Sequence, residues 1–156
     1  MKKIQVKAVL LLMVLMAPSL MAQTGDKYYT NEDNVAINGY DVVAYFTQAE
    51  GVRGNSKHST KHDGADFWFA TEEHKNLFVS NPDKYLPQFG GYCAFAIAKH
   101  NAKVSSDPST FKIVDGKLYL FFNDYYKGTP MNTMIPWNGN EAEMRITANE
   151  NWKKMQ

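Results

Sequence analysis

Cysteine is almost missing from this chain of 156 residues: there is one, Cys93. A single cysteine excludes a disulfide scaffold within one chain and a four-thiolate zinc site. An excess of one charge is missing too. There are 17 basic and 16 acidic side chains, and without the three lysines of residues 1–22 the balance is 14 against 16. A nucleic-acid binder needs a basic surface, so nucleic acid is not an expected partner. No apolar run is long enough to span a bilayer, which takes about 20 residues. Phosphate loops, dinucleotide fingerprints, Gly-x-Ser-x-Gly elbows and paired carboxylates are absent, which lowers the prior for an enzyme.

Residues 1–22 read as a secretory signal peptide. Lys2, Lys3 and Lys7 form the positive start, and Ala8 to Ala17 is an unbroken apolar run of ten residues. Pro18-Ser19 ends it, and Leu20-Met21-Ala22 precedes Gln23. The mature chain is expected to start near Gln23, in a bacterial periplasm or secreted, without a membrane span. Residues 23–35 are polar and read as a flexible segment, with one domain from 36 to 156.

Two Asp-Gly pairs predict β-hairpins, because both central positions of a type I′ turn need positive φ. Around Asp63-Gly64, His62 should face Ala65, Thr60 Phe67 and His58 Phe69. Around Asp115-Gly116, Phe111, Ile113, Leu118 and Leu120 share an apolar face that should be buried. Between the hairpins the period changes. Thr71 suits a helix N-cap before Glu72 and Glu73, and His74, Leu77 and Phe78 then share a face. Asn81-Pro82 stops that helix and starts a short one, which Pro87 ends. Gly90-Gly91 breaks the chain before Tyr92 to Ala98, a run that suits a helix or a buried strand. Asn140 with Glu143 resembles a cap, followed by a stripe of Ala148, Trp152 and Met155. Interleaved hairpins and short helices predict an α+β fold.

Cys93 is the leading site candidate. Gly90-Gly91 lets other backbone approach it, and a thiolate at a helix N-terminus attacks electrophiles and binds soft metals. Free cysteine also packs as a small hydrophobe, and Tyr92 and Phe95 flank this one. His58 and His62 have zinc-like spacing for a helix but sit on a predicted strand, where four residues span about 13 Å. His74 shares a face with apolar residues, and His100 falls in a polar stretch that reads as a solvated loop. Asp41, Asp63, Asp107 and Asp115 read as turn and cap residues. Most of the 21 aromatic residues should be core.

Five stretches then carry a resemblance: Asn38 to Phe46, Asp63 to Phe69, Asn81 to Tyr85, Pro87 to Ala94 and Val114 to Leu120. Together they resemble the exported YHS domain-containing proteins. The shorter YHS and TRASH-type modules are associated with heavy-metal handling, as appendages of copper-transporting ATPases. Matched residue by residue, their metal-binding cysteines fall on Ala44, Ala70 and His74, and their methionine on Phe46. Of these positions only His74 keeps a metal-binding side chain. The resemblance therefore implies that metal binding is weak or absent compared with the cysteine-bearing modules. A copper or zinc ion, where one binds, is expected on His74, the one position the resemblance leaves with a ligand, and Cys93, the leading candidate from the residues themselves. The leading expectation is an exported, non-catalytic binding domain for a metal ion or small ligand near Cys93. The alternatives are a thiol-dependent enzyme or redox-responsive protein using Cys93, and a partner-binding structural module. The burial and neighbours of Cys93 separate the three.

Overall fold

A computed structural model describes residues 27–156. The signal-peptide reading of residues 1–22 lies outside the described residues. The fold is α+β: among the described residues there are six α-helices and three antiparallel two-stranded sheets. Among the described residues no helix is long and apolar enough to cross a membrane.

Both Asp-Gly turns form as the chemistry requires, with φ of +44° and +87° at Asp63-Gly64 and +52° and +71° at Asp115-Gly116. The first joins β1 (Asn55–His62) to β2 (Ala65–Phe69). His62 pairs with Ala65 and Thr60 with Phe67, but Asn55, not His58, stands opposite Phe69. The slip is a bulge built from local polar bonds: Lys57 N donates to Asn55 Oδ1 at 2.9 Å, and the Ser59 hydroxyl donates to Ser56 O at 2.9 Å.

The second turn joins β3 (Asp107–Val114) to β4 (Lys117–Phe121). The apolar face expected there is not buried throughout, because Ile113 is 37% exposed. It sits near the turn, past the edge of the core. Burial of β4 instead extends to both of its faces. Leu118 and Leu120 enter a core with Val42, Tyr45, Phe67 and Phe78. Tyr119 and Phe121 enter a second core with Phe89, Ile97, Trp137 and Ala148. The strand alternates between two hydrophobic clusters and is the wall they share.

Thr71 caps α2 (Glu72–Ser80) by accepting from His74 N at 3.1 Å. Pro82 opens α3 (Pro82–Tyr85), as expected. Tyr92 to Ala98, open between helix and strand, becomes α4 (Ala94–His100), with Cys93 at its N-cap and bridged to Leu120 of β4. His100 is therefore the last helical residue rather than a loop residue; Asn101, at φ +49°, turns the chain out. Three elements were not legible beforehand: α1 (Ala44–Thr47), the hairpin β5 (Asn123–Tyr126) and β6 (Thr129–Asn132), and α5 (Met134–Gly139). The chain ends with α6 (Glu141–Lys154), which packs against α4.

Residues 23–35, expected to be flexible, are described from Lys27 onward, and there the chain is pinned. Tyr28 and Val35 are buried. Tyr29 N donates to Gly90 O at 2.9 Å and Asp66 N to Asn34 O at 3.0 Å. Gly90 makes this possible: at φ +61° any Cβ there would lie 1.8 Å from Lys27 O. Polarity misled because this segment is anchored through its backbone and two apolar side chains.

Candidate functional site

Two arrangements hold the residues singled out above. The first is a cavity over Cys93 of about 450 Å³. Its floor is Cys93, with no exposed surface, and Thr133. Thr133 sits where β6 meets α5, and its N–H and hydroxyl both donate to Phe122 O, at 2.9 and 3.0 Å. The hydroxyl's one proton is spent there. At the 3.3 Å contact between Cys93 Sγ and Thr133 Oγ1 the thiol is then the donor. Both polar groups of the floor are satisfied within the protein.

The walls are apolar. Phe95 and Ala96 come from α4, with Val104 and Phe122 beside them. Tyr126 and Met131 come from the β5–β6 hairpin. This hairpin stands away from the body of the protein: all of β5 is exposed, Tyr125 to 69%. Its base is tied by Thr133 and by Asn123 Nδ2, which donates to Thr110 Oγ1 at 3.0 Å. His100 lines the cavity with its ring against Phe95, centroids 6.0 Å apart.

The second arrangement surrounds His74. Its Nδ1 donates to Asp41 Oδ2 at 2.6 Å, since a carboxylate only accepts. Asp41 is fully buried and also accepts from Ala70 N at 2.8 Å, Val43 N at 2.8 Å and Ala44 N at 3.2 Å. His74 Nε2 lies 3.3 Å from Thr47 Oγ1, whose hydroxyl is also 3.2 Å from Val43 O. Hydroxyl, imidazole and carboxylate follow one another in the order of a nucleophile, base and orienting acid. The carboxylate is nevertheless committed to three backbone amides, and the single Thr47 hydroxyl proton is shared between His74 Nε2 and Val43 O in its own helical turn. The set works as a clamp joining the start of α1, the end of β2 and α2. Reading Asp41 as a cap residue caught two of its four bonds. The other two depend on segments 29 and 33 residues away.

Cys93 and His74 thus have separate partners and separate surroundings. Both ring nitrogens of His74 are engaged, and His74 takes no part in lining the Cys93 cavity. Among the described residues no group of three or more His, Cys, Asp or Glu side chains is placed to hold a metal. These residues do not fit a copper or zinc ion shared by Cys93 and His74. The other histidines are also accounted for: His58 Nδ1 is 3.0 Å from Glu72 Oε2, and His62 packs edge-on against Phe67 and Phe78.

What fold and site define is a small α+β domain with an apolar cavity floored by its single thiol. Comparisons with protein-family models, curated proteins and solved structures found no match.

Proposed function

We propose that this chain is an exported binding domain of the YHS type, non-catalytic, which holds a small apolar ligand in the cavity over Cys93. The observation that carries this reading is the cavity itself. Its size falls in the range of small-ligand sites, about 300–1,000 Å³. Apart from the His100 imidazole its walls are aromatic and aliphatic, and its floor leaves no polar group in want of a partner. An apolar ligand leaves those hydrogen bonds intact and gains contact with Phe95, Phe122, Tyr126 and Met131. The thiol-enzyme reading has less support, because the Cys93 thiol gives its proton to Thr133 rather than to a histidine. Export rests on the pattern of residues 1–22 alone.

The uncharged fluorophore N-phenyl-1-naphthylamine tests the reading. It should bind one to one with enhanced emission. Ala96→Trp from the helix side and Val104→Trp from the rim should each weaken binding by about tenfold or more while the protein stays folded. No binding to the native protein, or binding undiminished in both variants, would refute the cavity as the site.

A further inference from the structure

A ligand in the cavity over Cys93 meets few polar groups, and those few decide what head group it carries. The floor has none to offer. Cys93 is fully buried with its thiol proton given to Thr133, whose own proton goes to Phe122 O. Two residues of the walls differ. His100 closes α4 and is exposed, and among the described residues no hydrogen bond or ion pair engages its ring nitrogens. Tyr126, across the cavity on the β5–β6 hairpin, is 52% exposed, and its hydroxyl likewise has no hydrogen bond among the described residues. Both groups donate. An imidazole offers at least one N–H in either protonation state, and a phenol offers its O–H.

The surrounding charge has one sign. Among the described residues no Asp or Glu lines the cavity. Lys99 precedes His100 in the last turn of α4, and Lys127 Nζ lies 5.3 Å from the centroid of the Tyr126 ring. The hairpin's own acid, Asp124, accepts from Tyr125 N at 2.7 Å and lines a different cavity. The end of α6 lies beside the end of α4, where Asn151 Nδ2 donates to Ile97 O at 2.9 Å. Lys153 and Lys154 follow there, against the single acid Glu150. An ammonium head finds no counter-charge in this lining. A carboxylate finds two donors and a basic setting, the combination that gives charge-assisted hydrogen bonds.

The apolar walls fix the rest of the molecule. At about 30 Å³ per non-hydrogen atom, the volume of a water in the liquid, the cavity of about 450 Å³ takes an acid of about eight to ten carbons with room to spare. Resting on the reading of this cavity as a ligand site, we propose that its ligand is an apolar carboxylic acid of that size. The apolar body lies over Cys93, and the carboxylate accepts hydrogen bonds from His100 and Tyr126 at the mouth.

Octanoate, octan-1-ol and octylamine share one chain and differ only in the head group. Isothermal titration of the purified protein should show octanoate bound about tenfold or more tighter than the other two, the worth of one charge-assisted hydrogen bond. His100→Phe keeps a ring against Phe95 and removes the N–H. It should bring octanoate down about tenfold and leave octanol unchanged. Tyr126→Phe should weaken octanoate several-fold, again without effect on octanol. Both positions are exposed, so neither change should lower the melting temperature. Ala96→Trp and Val104→Trp should each weaken octanoate as they weaken N-phenyl-1-naphthylamine. Octanol or octylamine bound as tightly as octanoate, or a preference for octanoate that survives His100→Phe, would overturn the proposal. So would octanoate binding undiminished in Ala96→Trp and Val104→Trp, which would place the acid on the lysine-bearing surface instead. Binding of the fluorophore without a preference for octanoate would overturn the head group alone and leave the cavity a ligand site; binding of neither would overturn both.

Discussion

Asp41→Ala is expected to destabilise the protein by about 3–5 kcal/mol, the usual cost of removing one partner from a buried charge-paired set. The magnitude follows from what the carboxylate holds. Three backbone N–H groups and the His74 ring lose their acceptor together, at a position closed off from bulk solvent. Asp41→Asn should recover only part of the loss. Whichever way the amide is turned, its NH2 group faces N–H donors where an oxygen stood. His74→Ala should cost less than Asp41→Ala, because the backbone bonds to the carboxylate survive. Urea unfolding with linear extrapolation measures all three. A loss below about 1 kcal/mol for Asp41→Ala would mean the clamp contributes little.

Trp137→Ala should cost a similar amount, about 3–5 kcal/mol. Trp137 is the one fully buried residue of α5, and its ring lies 5.9 Å from that of Tyr119 and 5.3 Å from that of Phe121. Removing it opens a void in the core shared by β4, α4 and α6. The indole N–H has no hydrogen-bond partner, so the loss is one of packing alone. Trp137→Phe should therefore retain most of the stability. Equal losses in the two variants would contradict that division. The comparison also tests whether the C-terminal helices share a core with the hairpins.

What could be read from the sequence follows from how local each signal is. The Asp-Gly turns were legible because positive φ at two successive positions restricts the residue choice within the turn itself. The cap at Thr71 was legible for the same reason, since cap and capped amide are three residues apart. The bulge in β1 was not, because its polar residues can also make regular strand pairs. The β5–β6 hairpin turns at Lys127-Gly128, a weaker turn signal, and its strands, exposed but for the half-buried Asn132, leave no alternating pattern. Six-residue α5, with Pro136 inside it and one buried side chain, is too short to show a helical period.

The site divides in the same way. Cys93 stood out through its glycines and its solitude, and it does floor the cavity. The hairpin that supplies Tyr126 and Met131 to the cavity was unseen, and so therefore was the cavity. His100 was read as a loop residue although Lys99-His100 is the basic last turn that suits a helix C-terminus. The Asp41–His74 pair spans 33 residues and exists only once α2 packs beside the start of α1.

Because the chain holds one cysteine, alkylation can be followed at a single atom. The most direct test of the cavity is the rate at which N-ethylmaleimide modifies Cys93, read as mass gain, with and without saturating N-phenyl-1-naphthylamine. Occupancy of the cavity predicts that the fluorophore slows modification by about tenfold or more. An alkylation rate unchanged by the bound fluorophore would place the ligand elsewhere and contradict the account.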